Sequence, residues 1–368
     1  MSGRRVLSDA ERRDWLRLTR SERVGPITFF HLLKRFGSAA AALDALPDLA
    51  RRGGRATLRV TSAQAADREM AQNVKLGARL IGRFEPDYPE ALAAVDDAPP
   101  LLAVRGKTEL LARRTIAIVG ARNASANGIR IARQIASDLG AAGLVVASGL
   151  ARGTDAAAHR GALASGTVAV MAGGVDIVYP PENTGLYEEI VAEGAVVSEM
   201  PPGLEPQARH FPQRNRIVSG LSVGVVVVEA ALKSGSLITA RLALEQGRDV
   251  YAVPGSPLDP RARGSNDLIR RGAILTEGAE DVLEALGQTA LPAAKPLDVR
   301  EDEPPPAADR EVETALPKVL EKLGPAPTQV DEIVRQCQLP TAVVHMALLE
   351  LELAGRLTRH PGNMVSVI

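Results

Sequence analysis

Thr115-Ile-Ala-Ile-Val-Gly-Ala-Arg-Asn-Ala-Ser125 is the stretch on which the reading of the fold turns. Five residues rich in β-branched side chains end abruptly at Gly120, and a helix-like apolar pattern follows over 129–139. A continuous apolar run closed by a glycine is the mark of a strand covered on both faces, the habit of parallel α/β sheets. The alternation repeats outward from this point. Residues 144–147, 167–171, 195–197, 224–229 and 249–253 read as further strands, and 273–275 as an edge. Helical patterns over 155–163 and 186–191 lie between them. The fold class expected is α/β, an extended Rossmann-like parallel sheet over residues 81–288. In such sheets ligands sit at the carboxyl ends of the strands, where the winding reverses.

Two smaller segments flank this core. In residues 1–80, Trp15, Leu16, Leu18, Phe29, Phe30, Leu32, Leu33 and Phe36 fall at helical spacings, so an N-terminal all-α domain is expected. The stretch 23–37, with its Gly25-Pro26 turn, resembles a helix-hairpin-helix or SAM-like segment, in which backbone N–H groups at a helix start face a phosphate. A single Gly-Pro turn is weak support, and the weight falls on a small packing domain. Residues 289–308, with Pro292, Pro296 and Pro304 to Pro306, read as a proline-rich linker. Residues 309–368 read as three helices and a hairpin, a winged helix. Its presumed recognition helix, 341–353, carries His345, Glu350 and Glu352 but no arginine or lysine. That composition favours binding protein over reading DNA.

Charge and composition narrow the function. The 368 residues carry 44 basic and 44 acidic side chains, for a net charge of zero. The total hides a split of +8 over 1–80, −4 over 81–288 and −4 over 289–368. A lone cysteine, Cys337, excludes an intrachain disulfide and a cysteine-rich zinc site. The five histidines show no metal-ligand spacing, and neither metal nor cofactor is expected. The charged start lacks a signal-peptide pattern, and the apolar run 221–232 is shorter than the ~20 residues that span a bilayer. A cytoplasmic protein with no membrane contact is expected.

Glycines and polar residues follow one predicted strand after another. The first strand leads into Gly120, Ala121, Arg122 and Ser125, the second into Gly149, Arg152 and Gly153, and the third into Gly173. After the fourth come Phe211, Arg214, Asn215 and Arg216; after the fifth, Lys233, Ser234, Gly235 and Ser236; after the sixth, Gly255. Glycines admit a ligand close to the backbone, helix starts favour anions, and four cations converge on one rim. A site for several phosphates is expected, against the plainer reading of glycines that serve tight turns. Asp155 and His159 share a helix face and are expected to form a structural hydrogen bond that ties a loop. Enzyme signatures are missing. There is no G-x-G-x-x-G, no P-loop, no acidic residue placed for a ribose, and no base partner for Ser125 or Ser236. No catalytic residue is assigned.

At this level of detail the chain resembles the DNA-processing protein A family (DprA, also called Smf). The resemblance runs through six blocks in order, at 116–125, 148–163, 211–222, 229–240, 247–255 and 264–273. They include Ser148-Gly-Leu-Ala-Arg-Gly-Thr-Asp155 and Phe211-Pro-Gln-Arg-Asn-Arg216. The resemblance implies a non-catalytic protein of natural transformation that holds single-stranded DNA on an extended Rossmann fold. It implies protection of incoming DNA, loading of the RecA recombinase, and a homodimer through the Rossmann domain. The family's phosphate-binding Gly-Ser-Arg falls on Gly120-Ala121-Arg122, with alanine in place of serine, so one hydroxyl contact is lost. Its Phe-x-x-Arg-Asn-Arg falls on Phe211, Arg214, Asn215 and Arg216, with Phe211 the residue to stack on a base and Lys233 a further phosphate contact. The fold is also similar to lysine-decarboxylase-like nucleotide phosphoribohydrolases, the enzyme alternative. Their Pro-Gly-Gly-x-Gly-Thr-x-x-Glu motif has a catalytic glutamate that Ser234 to Arg241 lacks, and Glu245 comes a turn too late. The +8 of residues 1–80 stays open between an extension of the DNA track and a solvated helical surface.

Overall fold

The structure is a computed structural model that describes residues 5–288, 309–360 and 363–368. The linker expected at 289–308 lies outside the described residues. The chain divides into two compact units, one made of the N-terminal helices together with the C-terminal segment, the other of the central sheet and its helices.

The N-terminal helices are α1 (Asp9–Arg20), α2 (Pro26–Phe36), α3 (Ala39–Arg52) and α4 (Ala63–Lys75). Ser8 and Glu11 form a capping box that starts α1, and Gly37, in the left-handed region, ends α2. Trp15 meets Phe29 edge-on at 5.0 Å between ring centres, and Phe29 meets Phe30 at 5.1 Å. The only tryptophan of the chain and two of its five phenylalanines are thus used in packing this small domain.

The central unit runs β1 (Ala78–Gly82), α5 (Glu90–Ala93), β2 (Leu101–Gly106), β3 (Thr115–Val119), α6 (Ala126–Ala141), β4 (Val145–Ser148), α7 (Thr154–Ala162) and β5 (Thr167–Val170). It continues with α8 (Thr184–Glu193), β6 (Ala195–Ser198), α9 (His210–Gly220), β7 (Gly224–Val227), α10 (Gly235–Glu245), β8 (Asp249–Ala252), α11 (Arg263–Arg270), β9 (Ile274–Leu275) and α12 (Ala279–Gln288). Among the described residues these strands form a nine-stranded sheet in the order β1-β2-β6-β5-β4-β3-β7-β8-β9. All pairs from β6 to β9 are parallel, and the winding reverses between β3 and β7. The Rossmann-like core is therefore as expected. The sheet is mixed, however: β1 and β2 pair antiparallel, and β2 joins β6 antiparallel. Sequence reading missed both strands. Ala78 to Gly82 follows a helical pattern directly and carries Arg79 in mid-strand, so it lacks the unbroken apolar run of the inner strands.

Alternation along each inner strand feeds two cores. Ile116 and Ile118 point to one face with Val146, Val226, Ile135 and Leu139, and Ala117 and Val119 point to the other with Val145, Val168, Val225 and Ile217. All twelve are nearly or fully buried.

The C-terminal module contains α13 (Asp309–Lys322), β10 (Thr328–Gln329), α14 (Val330–Cys337), α15 (Thr341–Leu353), β11 (Leu357–His360) and β12 (Met364–Val367). β12 pairs with both β10 and β11, which makes the wing of a winged helix. Thr328-Gln329, ahead of the second helix, forms the short strand β10 because it pairs with Met364 and Val365. No helix among the described residues is long and apolar enough to cross a membrane.

The two-sided core sets the first expected outcome. Ile118→Ala removes a fully buried branched side chain from β3 and costs about 2–5 kcal/mol. Urea unfolding followed by circular dichroism checks it, as a lowered midpoint at unchanged slope.

Candidate functional site

The site grows from two loops bound to each other. After β4, the carboxylate of Asp155 accepts hydrogen bonds from the backbone N–H groups of Gly149 at 3.1 Å and Ala151 at 3.3 Å, which folds the loop back on the start of α7. Gly153, with φ of +74°, comes so close to the loop after β3 that an added Cβ would lie 2.4 Å from the Ala121 carbonyl oxygen. Thr154 donates to that same oxygen from its backbone N–H, at 3.2 Å, and from its hydroxyl. The two loops are thereby one platform.

Arg214, on α9, lies across this platform. A Cβ on Gly149 would fall 1.1 Å from an Nη of Arg214, so only glycine there lets the guanidinium rest on the loop backbone. Arg214 is 6% exposed, and its Nε has no hydrogen-bond partner. Among the described residues no carboxylate lies within ion-pair distance of it. Burial pushes its guanidinium below the usual range; the Asp155 charge works the other way, and the Arg122 charge adds to the depression. Burial likewise raises the Asp155 carboxyl, against the pull of Arg214 and the two amides. Arg122 is exposed at the rim, its guanidinium 5.1 Å from the centre of the Phe211 ring. Tyr179 packs on Phe211 at 5.6 Å, the rings inclined at 59°. Arg122, Gly149, Arg152, Tyr179, Phe211 and Arg214 line one cleft. It offers fixed positive charge and an aromatic wall. Its chemistry is that of an anion site beside a stacking surface.

Sequence reading had placed the ligand at the reversal of the winding. That crevice is filled. Glu229, at the end of β7, accepts from the Ser125 N–H at 2.9 Å and from its hydroxyl, while Ser125 in turn caps α6. Ser125 is therefore engaged within the protein, and the cleft is displaced toward β4 and β5.

Other expected contacts also turn inward. Arg216 is buried and donates to Glu199 and to the Asp97 carbonyl, a structural arginine. Burial opposes its charge, but the Glu199 and Asp97 carboxylates outweigh burial and hold its guanidinium above the usual range. The backbone of Gly120 and Gly173 is covered by Thr154 and by Leu204 with Pro206, while Gly255 is exposed and exchanges hydrogen bonds with the Asn266 side chain at 3.1 and 2.9 Å. Ser234 caps α10 and shares a hydrogen bond with Ser236, Asn215 reaches the Gly235 carbonyl at 3.5 Å, and Lys233 is exposed beside them. None of these five lines the cleft. Asp155 and His159 do not bond to one another. Asp155 holds the loop, and His159 bonds the Thr167 hydroxyl at 2.7 Å, because one turn of α7 carries it down to β5. Tyr179 was missed. The signal available was its rarity, one of four tyrosines, close after a strand end and before Pro180.

The fold defines a Rossmann-like protein that carries a helical and a winged-helix module, with a cationic cleft beside the sheet. Residues 79–287 match the family described as DNA recombination-mediator protein A, residues 9–71 the DprA-like N-terminal HHH domain, and residues 303–363 the DprA winged helix domain. The chain is 41% identical over 283 residues to Protein Smf of Escherichia coli (strain K12), covering 76% of this chain and 74% of that one. It is 42% identical over 233 residues to the DNA processing protein DprA of Bacillus subtilis (strain 168), covering 62% and 78%. Among solved structures, DprA of Streptococcus pneumoniae superposes with a TM-score of 0.57 at 34% identity, over 70% of this chain and 97% of that one. The DNA processing protein A of Helicobacter pylori, whose structure is described as showing a single-stranded DNA binding mode, superposes with a TM-score of 0.53 at 29% identity, over 57% and 95%. The chain belongs to the DprA family.

His159 under the platform gives a pH dependence. Burial first, with Arg214 and Arg160 adding to it, pushes its imidazole down to about 3 from an ordinary 6.5. The folded protein keeps the ring neutral where the unfolded chain takes up a proton. The stability it contributes is complete above about pH 6.5 and falls by about 1.4 kcal/mol per pH unit as the pH drops toward about 3. Urea titrations at a series of pH values check this, with a shallower fall expected in His159→Gln.

Proposed function

We propose that the cleft holds single-stranded DNA, with phosphates on Arg122 and Arg214 and a base against Phe211 and Tyr179. The observation that carries this reading is the Arg214 guanidinium, buried on Gly149 with no carboxylate within ion-pair distance and next to a second guanidinium. A buried charge left in this state calls for an anion. The aromatic wall favours a single strand, because a base in a duplex already has its faces covered by its neighbours. The Helicobacter pylori relative, with its described single-stranded DNA binding mode, supports the same assignment. The wider role we infer is that of the family: protection of incoming DNA and loading of RecA in recombination, by a homodimer formed through the Rossmann domain, in the cytoplasm.

We read the protein as non-catalytic. The carboxylates around the platform are engaged, Asp155 with two backbone amides, Glu229 with Ser125 and Glu182 with Arg152 at 3.8 Å. A nucleotide hydrolase on this sheet needs such a group facing substrate.

Titration of a labelled oligonucleotide, single-stranded and duplex at equal length and at two salt concentrations, tests the reading. Single strands bind tighter. Arg122→Ala flattens the salt dependence by about 0.7 in log–log slope, one phosphate contact. Arg214→Lys, which lacks the planar fork, weakens binding about ten-fold. Gly149→Ala, which puts a methyl on the guanidinium, does the same with an unchanged far-ultraviolet spectrum. Phe211→Ala loses about 1–3 kcal/mol. Unchanged affinity and slope in all four variants sink the assignment.

A further inference from the structure

The N-terminal helices and the winged helix share one compact unit, and the contact between them has a particular chemistry. It is made by α15, the helix that a DNA-reading winged helix would lay in the major groove. Val343, Val344, Ala347, Leu348 and Leu351 face the module's own core. Leu349, Glu350 and Leu353 lie outside that core cluster, yet all three are fully buried. With buried residues on more than one face, α15 is covered on two sides, and here the second cover is α3. The end of α3 meets α15 backbone to backbone: a Cβ on Gly53 would lie 2.1 Å from the Glu350 carbonyl oxygen.

Two carboxylates of α15 reach into the basic N-terminal domain. Glu350, wholly buried, pairs with Arg52 at 3.2 Å. Glu352 accepts from the Thr28 hydroxyl at 2.9 Å, in the first turn of α2, just after Gly25-Pro26. It also accepts from Arg359 of its own module at 2.9 Å. The Arg23 guanidinium lies against Gly355, immediately after α15. The helix start after Gly25-Pro26, where sequence reading weighed a phosphate grip against the favoured small packing domain, thus has a carboxylate from elsewhere in the chain on its Thr28 hydroxyl. The charges match, +8 over residues 1–80 against −4 over 289–368.

We propose that Glu350 and Glu352 are an internal stand-in for nucleic-acid phosphates: the winged helix plugs the basic α2–α3 face of the N-terminal domain, and that face grips DNA only after the plug is withdrawn. The plug shields α15 as well, so neither module engages DNA while the unit is closed. Binding in the closed state is left to the sheet cleft alone.

The test uses the full chain in an Arg122→Ala/Arg214→Ala background, which silences the sheet cleft and keeps the two proposals separable. Two changes open the contact by different means. Glu350→Gln/Glu352→Gln removes the plug's charge at nearly constant shape. Gly53→Leu drives a side chain into the α15 backbone at a position whose φ of −68° accepts it. Amide hydrogen exchange of α15 reports opening, and titration with a labelled oligonucleotide, single-stranded and duplex, reports binding. We expect α15 to lose protection in Gly53→Leu, and both variants to bind DNA about ten-fold tighter than the background with a steeper salt dependence, since phosphate contacts are gained. Adding Arg52→Ala abolishes the gain. Unchanged affinity in an opened chain, a gain that survives Arg52→Ala, or an α15 that stays protected in Gly53→Leu each overturns the proposal. Failure of the sheet-cleft reading would show separately, as background binding equal to that of the natural chain.

Discussion

A guanidinium resting on bare backbone inside a protein is an unfavourable arrangement, and the central unit is organised around holding one there. Arg214 loses its water against Gly149 and gains no hydrogen-bonded carboxylate in exchange. What keeps it charged is the field of Asp155, which is itself buried and held by the amides of Gly149 and Ala151. The loop shape, the glycine and the buried acid are therefore one device. Remove the glycine and the arginine has no seat; remove the acid and the loop has no shape. A site assembled this way is preorganised for an anion, because the desolvation that binding would otherwise require has already taken place on folding.

The same logic explains why the cleft is not where doubly wound sheets usually place a ligand. The crevice between β3 and β7 is the geometric choice, but Glu229 closes it by capping Ser125 and the start of α6. A carboxylate there repels phosphate and spends the positive end of the helix internally. The anion site moves one strand over, where Tyr179 and Phe211 supply a wall that the switch point lacks. Carboxylates set against helix starts recur in the other unit, where Glu352 meets the first turn of α2. Acidic residues in this chain thus decide which of several potential anion sites stay open. That is how a protein with zero net charge, and a central segment of −4, retains a selective cationic cleft.

Much of this was legible in the amino-acid order. Continuous apolar runs located the six inner strands and their parallel character, because a strand buried on both faces has no solvent-facing row to fill with charged side chains. Arg122, Arg214 and Phe211 were legible from their places after strand ends and from the family blocks. Tyr179 was hidden by distance in sequence from Phe211 and β1 by its weaker apolar signal, while β2 was missed although Leu101 to Val104 is an unbroken apolar run. The burial of α15 against α3 followed from no local pattern, since apolar residues on more than one face of a helix announce only that it is covered and not by what.

Arg214 and Arg216 mark the boundary between the two kinds of information. They stand two residues apart on α9, in the same motif and with the same side chain. The sequence by itself determined that two cations follow a strand end; the helix that carries them, α9, appears only in the structure. Two residues along a helix are about 200° around its axis, so one of them must turn away from the other. Which one faces the cleft and which is pinned by Glu199 and Asp97 depends on the rotation of α9 about its own axis. That rotation is set by Ile217 and Val218 packing into the core beneath the sheet, and only the tertiary structure decides it.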